Sequence, residues 1–343
     1  MNQTFDAVLV LSFGGPEGMD DVMPFLRNVL RGRNVPEERM RAVAHHYEMF
    51  GGVSPINAQN RALIAALERE LEAEGPRLPV YWGNRNWHPF LADALRRMKS
   101  DGVRNALAFV TSAYSSYSGC RQYREDIERA RAEVGEGAPQ VSKLRAFYNH
   151  PGFVEPNAEN LRAALARIPE ARRARAEVAF TAHSIPVSMA DGCDYESQLR
   201  ETSRLVAVAA GCERYSLVFQ SRSGPPTQAW LEPDVCDYLR DARASGASDV
   251  VLAPVGFISD HMEVVYDLDT EARGLAEELG LNLLRAATVG THPTFVRMIR
   301  ELITERLDSD APRRFLGEQG PRADTCAPDC CLVVSRQSSI VNP

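Results

Sequence analysis

The densest group of reactive side chains is Ser259-Asp260-His261-Met262-Glu263, followed by Asp267 and Glu271. An apolar run ends just before it, so these groups fall where a strand hands over to a helix. On that helix Glu263, Asp267 and Glu271 recur every four residues, which stacks three carboxylates on one face. Like charges at that spacing repel by about a few tenths of a kcal/mol per pair. Only Glu263 and Asp267 lie near the favourable helix N-terminus. Hard oxygen ligands beside an imidazole suit a partly hydrated divalent cation, held loosely enough to be passed on. A solvated acidic face would explain the same spacing. Against that stands the position of the row, which starts beside Asp260 and His261 at a strand's carboxyl end.

His183, in Ala182-His183-Ser184-Ile185-Pro186, sits at the end of another apolar run, where doubly wound sheets bind their ligands. A neutral imidazole there accepts a proton or binds metal, whereas a lone histidine is more often structural or solvated. Gln220-Ser221-Arg222-Ser223-Gly224-Pro225-Pro226 with Trp230-Leu231 offers either an anion site beside a stacking surface or a Pro-rich turn with a half-buried indole. The residues alone leave both open. The loop Ser12-Phe13-Gly14-Gly15-Pro16-Glu17-Gly18 is glycine-rich but is not GxGxxG. Pro16 removes a donor and no acid-tipped second strand follows, so it reads as a tight βα turn rather than a phosphate cradle.

Positioning these groups requires strands that end together. Near-continuous apolar runs at residues 7–11, 80–82, 106–111, 177–181, 215–219, 250–255 and 281–284 have the look of parallel strands covered on both faces. Helical stretches alternate with them. One starts at Asn57 as N-cap and carries Leu63, Ile64, Leu67 and Leu71 on its apolar face; others span 121–134, 157–166, 195–210 and 295–307. The alternation predicts an α/β protein of two Rossmann-like, doubly wound parallel-sheet halves. Gly135, Gly137 and Pro139 place a seam within 133–151. The expected division is 1–145, 146–309 and a C-terminal extension, 310–343, broken by prolines and glycines yet carrying three cysteines.

The 343 residues suit about two globular units. Acids outnumber bases 46 to 39, a net charge of -7, which argues against nucleic-acid binding. No run approaches the roughly 18 apolar residues of a membrane span, and the first residues carry no basic leader. Seven cysteines do not form a secreted disulfide framework, so a reducing cytoplasm is expected.

Several segments together resemble the ferrochelatases, enzymes that insert ferrous iron into a porphyrin. They are Leu9 to Glu17, Tyr47 to Ile56 with Gly51-Gly52-Val53-Ser54-Pro55-Ile56, Thr181 to Pro186, Gln220-Ser221 with Gly224-Pro225 and Trp230-Leu231, and Ser259 to Asp269. The resemblance implies a porphyrin cleft between two Rossmann-like halves. It implies that His183 accepts pyrrole protons or meets the metal and that Glu263 is the catalytic carboxylate opposite. Asp260 and His261 would support that side of the iron substrate's path, with Asp267 and Glu271 on its outer part. Phe13 would face the porphyrin's other side; a phenyl ring cannot act as an axial ligand. Tyr47 and Ser54 would lie near the propionates and Trp230 in the cleft wall, with Tyr117 and Tyr123 completing the substrate-binding set. A close His183–Glu263 pair would titrate as a unit.

Some members of that family hold a [2Fe-2S] cluster, with one internal cysteine and three in a C-terminal extension. Cys120, in Ser116-Tyr117-Ser118-Gly119-Cys120, resembles the internal ligand; Cys326, Cys330 and Cys331 supply the remaining three thiolates of a four-thiolate set. Free thiols or a zinc site are the competing readings. Cys193, Cys212 and Cys236 look like ordinary small residues. The match of Gly83-Asn84-Arg85-Asn86-Trp87 and residues 221–226 to cluster-bearing bacterial members favours coproporphyrin III over protoporphyrin IX as substrate. Enzymes of the haem pathway are the expected partners. A chelatase for another metal and tetrapyrrole, and a non-catalytic haem or iron-sulfur sensor, are the rival functions.

Overall fold

The computed structural model describes residues 4–32, 35–224 and 227–332. Pro225 and Pro226 of the proline-rich turn, and residues 1–3 of the leader reading, lie outside them. Eight strands form two sheets: β1 (Ala7–Ser12), β2 (Val80–Asn84), β3 (Asn105–Val110) and β4 (Gln140–Lys143) in one, β5 (Glu177–His183), β6 (Ser216–Gln220), β7 (Asp249–Ala253) and β8 (Asn282–Arg285) in the other. The orders are β2-β1-β3-β4 and β6-β5-β7-β8, and every pairing is parallel. Each half is therefore the same doubly wound unit, with its order reversing beside β1 or β5, where ligands of such sheets bind.

All seven expected apolar runs are strands. β1, β3 and β7 are buried along almost their whole length, as strands with helices on both faces must be. The eighth, β4, falls inside the expected seam. Gln140, Ser142 and Lys143 make it a short polar edge strand, so no apolar run announced it. Asn57 is not an N-cap: the helix runs Ile56–Glu74 after Pro55, and the buried Asn57 amide donates instead to Gly15 O at 2.9 Å. The helix expected from 157 starts at Pro151, where His150 Nδ1 accepts from Gly152 N at 3.0 Å; Pro156 inside its early turns hid the true start.

The largest apolar cluster spans both halves, joining Val8, Val10, Leu63 and Leu67 to Phe295, Ile299 and Leu302. The last helix, Pro293–Leu307, packs on Ile56–Glu74 and on Pro151–Ala166. The same helix supplies Glu305, whose carboxylate meets Arg145 through bonds of 2.7 and 2.9 Å, both side chains 1 % exposed. The two sheets are thus held by one core and one buried ion pair, which fixes the gap between them.

Candidate active site

His183 is the last residue of β5. Its carbonyl accepts from the Tyr195 hydroxyl at 2.9 Å and the following Ser184 N donates to Gln220 O at 2.7 Å, so the chain around the imidazole is pinned on both sides. Nδ1 donates to Ser184 O. Nε2 faces Glu263 Oε1 at 3.4 Å, with 32 % and 45 % of the two side chains exposed.

Glu263 reaches this point because the chain beyond β7 turns beneath His183. Gly256 lies so close to β5 that a Cβ there would stand 2.6 Å from Ala182 Cα. His261 then caps the helix Met262–Tyr266, its Nδ1 accepting from Glu263 N at 3.2 Å. The Glu263 carbonyl accepts from Gln220 Nε2 at 2.6 Å, tying the helix to the end of β6. Beyond Tyr266 the expected α-helix widens into a π-helical turn, Asp267–Ala272, before resuming at Arg273–Glu278. Such turns collect at functional sites because they re-aim side chains.

The charges follow from that geometry. Burial works against a charged His183, yet the Glu263 carboxylate, with Ser184 O and Asp267, outweighs it and raises the imidazole to about 9. Burial alone would raise Glu263, but the His183 imidazolium brings it down to about 2. The resting pair is an imidazolium and a carboxylate. His261 is lowered, chiefly by burial, and its Nδ1 accepts a backbone N–H, so it stands neutral beside them. Asp267 accepts from Ser221 Oγ. Burial first, then the charges of Glu263 and Glu271, push Asp267 up to about 7 against that hydrogen bond. Ser221 holds a left-handed φ of 64°, sparsely populated for a residue with a side chain, in making this contact. Glu271, at the outer end of the row, is raised by partial loss of solvent and by Asp234.

Asp260 is held by groups from other elements. Its oxygens are taken by Arg285 at 3.1 and 3.2 Å and by Thr288 Oγ1 at 3.1 Å, and its N–H donates to Gln59 Oε1 at 2.8 Å. These bonds tie the loop before Met262 to β8 and to the helix Ile56–Glu74. Arg285 also clamps Asp269, at 2.7 and 2.8 Å. Neither Arg285 nor Gln59 was legible in the sequence, because each lies far along the chain on another element.

Most of the other expected porphyrin contacts lie in the first half. Phe13, partly exposed, follows β1 and packs edge-on against Phe25 at 6.2 Å, and Tyr47 meets the same ring at 5.9 Å. Burial, with Glu263 and Asp267, raises the Tyr47 hydroxyl, which places that ring within the field of the acidic row. Beside it His46 stacks on Tyr266, centroids 3.7 Å apart and 9° from parallel, a contact between the halves that nothing in the sequence signalled. Ser54 is buried under Gly15, where a Cβ would come 2.7 Å from Ser54 Cβ. Trp230 packs on Gly224 and pairs with Pro186 in the loop after His183. Tyr123 lies buried under the Arg85 guanidinium, and the Tyr117 hydroxyl donates to Glu125 at 3.1 Å.

A family model described as ferrochelatase matches residues 5–307. The chain belongs to the ferrochelatase family. Over 337 residues it is 58 % identical to a ferrochelatase of Rhodopirellula baltica, covering 98 % of this chain and 96 % of that one. It is 54 % identical over 346 residues to a coproporphyrin III ferrochelatase of Nocardia farcinica, covering 97 % and 98 %. Among solved structures, SirB from Bacillus subtilis with Fe3+ superposes with a TM-score of 0.51 at 10 % identity, covering 87 % of this chain and 96 % of that one. That likeness shows the fold alone.

The four cysteines expected to act together line one cavity of about 230 Å3, with Lys143, Arg121 and Arg145. Cys120 lies within hydrogen-bonding reach of Cys326, and Cys330 Sγ is 3.3 Å from Cys331 Sγ. Lys143 Nζ donates to Cys120 Sγ at 3.0 Å. Sharing with Cys326, helped by Lys143 against burial, lowers the Cys120 thiol. Cys326 and Cys331 are raised, the first chiefly by Cys120, the second by burial. The tail that brings these thiols in is well anchored: Arg121 Nη1 donates to Pro328 O at 2.7 Å and Cys330 O at 3.0 Å, and Asn149 Nδ2 donates to Gly320 O at 2.9 Å. Cys193, Cys212 and Cys236 are free and partly buried.

Proposed function

We propose that this protein inserts Fe2+ into coproporphyrin III, releasing two protons, with His183 and Glu263 as the catalytic pair. The observation that carries the reading is the 3.4 Å approach of that imidazole to that carboxylate, with Tyr47 near enough for Glu263 and Asp267 to raise its hydroxyl. Membership of the ferrochelatase family supports the reaction, and the coproporphyrin III ferrochelatases among the relatives support the porphyrin.

The resting ion pair sets the order of events. An imidazolium cannot accept a pyrrole proton. Fe2+ arriving at Glu263 replaces the imidazolium as the positive charge beside the carboxylate, so His183, 32 % exposed, gives its proton to solvent and the neutral imidazole then takes the two pyrrole protons in turn and passes each to solvent. Carboxylate and imidazole bind aqueous Fe2+ without trapping it. Asp267, and Glu271 at the exposed end, form the approach; the Ser221 contact holds Asp267 toward Glu263. Tyr47, Ser54, Tyr117, Tyr123 and Trp230 shape the porphyrin site. Residues 1–145 and 146–309 act as its two walls, and the extension 310–343, of which 333–343 lie outside the described residues, completes the cysteine site through Cys326, Cys330 and Cys331.

Cys120, Cys326, Cys330 and Cys331 fit a [2Fe-2S] cluster. Four thiols share a cavity with cationic side chains, and the buried Arg145 Nη1 has no hydrogen-bond partner among the described residues, as suits an anionic occupant. Among the described residues no three His, Cys, Asp or Glu side chains surround a single ion site; a two-iron cluster asks instead for two thiolates on each iron. When bound, it supplies one-electron chemistry. Among the described residues no helix is long and apolar enough to cross a membrane. The protein works in the cytoplasm, exchanging porphyrin and product with haem-pathway enzymes.

Anaerobic incubation with Fe2+ and either coproporphyrin III or protoporphyrin IX tests the reaction: faster metallation of coproporphyrin III is expected, and none of either porphyrin refutes it. A visible spectrum tests the cluster: charge-transfer bands present in the purified protein and absent in Cys326→Ser support it, whereas colourless, iron-free protein rejects it.

A further inference from the structure

Arg85 lies where the porphyrin wall and the cysteine cavity meet. It follows β2, and its backbone N–H donates to Ser12 O at 3.0 Å while Asn86 N donates to Phe13 O at 3.1 Å, so this turn fixes the end of β1. Its side chain is 6 % exposed and pairs with the equally buried Asp126, Nε to Oδ2 at 2.5 Å. Neutralising the charge requires no more than that. Yet Nη1 also donates to Ser118 O at 3.2 Å, and the guanidinium carbon lies 4.4 Å from the Tyr123 ring centre and 5.7 Å from that of Phe13.

Ser118 belongs to the π-helical turn Tyr117–Arg121, which carries Cys120. Phe13 and Tyr123 belong to the wall assigned above to the porphyrin. One rigid, planar cation therefore grips the turn that holds Cys120 and lies against the partly exposed Phe13 and the buried Tyr123 behind it. Single π-helical turns gather at functional sites, and a close-packed interior passes a small displacement on rather than absorbing it. A guanidinium makes these contacts at once through its fork and its faces; an ammonium on a flexible stem does not.

We propose that Arg85 is a positioning residue that couples the Cys120 turn to the porphyrin-binding wall, so that filling either site alters the other. The inference rests on the porphyrin and cysteine assignments proposed above. Linkage makes the coupling reciprocal, so it can be read from either side.

The test titrates coproporphyrin III into the full-length protein without iron, under anaerobic conditions. Porphyrin fluorescence reports binding and the visible spectrum reports the cluster, so failure of either underlying assignment shows separately. The coupled readout is the visible circular dichroism of the cluster or, in protein without cluster bands, the rate at which iodoacetamide alkylates Cys120, followed by mass spectrometry. Saturating porphyrin is expected to change that rate about fivefold, the low end of ordinary coupling, or to shift the dichroism. The response is expected to vanish in Arg85→Met/Asp126→Asn, which leaves no buried charge unpaired, and to fall by at least about half in Arg85→Lys. Should the double variant not fold, Arg85→Lys decides alone. A response of wild-type size in either folded variant, or none in the wild type, overturns the proposal. A purely structural ion pair would alter stability without changing how Cys120 responds to porphyrin.

Discussion

Replacing Arg145 by Met removes one half of the buried pair that ties the first sheet to the last helix. Glu305 is left 1 % exposed, without the two bonds of 2.7 and 2.9 Å that satisfied it, and Arg314 O loses its donor at 2.9 Å. Stranding one charge of a buried pair costs about 3–5 kcal/mol. Unfolding entropy near 2.1 cal/mol/K per residue, over 343 residues, gives about 0.7 kcal/mol/K, so Tm should fall by about 4–7 °C. Arg145→Met/Glu305→Met should recover most of the loss, because hydrophobic replacement of a whole buried pair is often neutral or better. Thermal melts of all three proteins, without iron or porphyrin, measure both shifts. A single variant within about 1 °C of wild type, or a double variant no better than the single, would refute the reasoning that the pair is a buried, mutually compensated lock.

Three further outcomes are expected. Asp267 is protonated below its pKa of about 7 and becomes a carboxylate above it, so the apparent KM for Fe2+ should fall as pH rises through 7, and Asp267→Asn should flatten that dependence. Because the Ser221 hydrogen bond favours the carboxylate, Ser221→Ala should move the same midpoint upward in a pH series of initial rates. Gly256→Ala forces a Cβ to 2.6 Å from Ala182 Cα; overpacking of about 1–3 kcal/mol should lower Tm by about 1–4 °C, with kcat falling as His183 is displaced.

Much of the architecture was legible because parallel strands between helices must be apolar on both faces, as Val8–Leu11 and Val250–Leu252 are. β4 escaped for the converse reason, its residues being those an exposed edge favours. His183 and Glu263 each stood out at the carboxyl end of a strand, but their meeting at 3.4 Å depends on the close approach at Gly256, which no local pattern encodes. Asp260 looked like part of the acidic cluster until Arg285 claimed it from the edge of the second sheet. The π-helical turns at Tyr117–Arg121 and Asp267–Ala272 have no sequence period of their own. Cys120 and the tail thiols lie some two hundred residues apart, so only resemblance to a family suggested that they meet.

Initial rates of iron insertion into coproporphyrin III by the wild type, His183→Ala, Glu263→Gln and the double variant test the central claim most directly. If the two side chains act as one unit, each single change should lower kcat/KM by about 10²–10⁴, and the double variant should be scarcely worse than either single. Losses that simply multiply, or a single variant that keeps near-normal insertion, would contradict it.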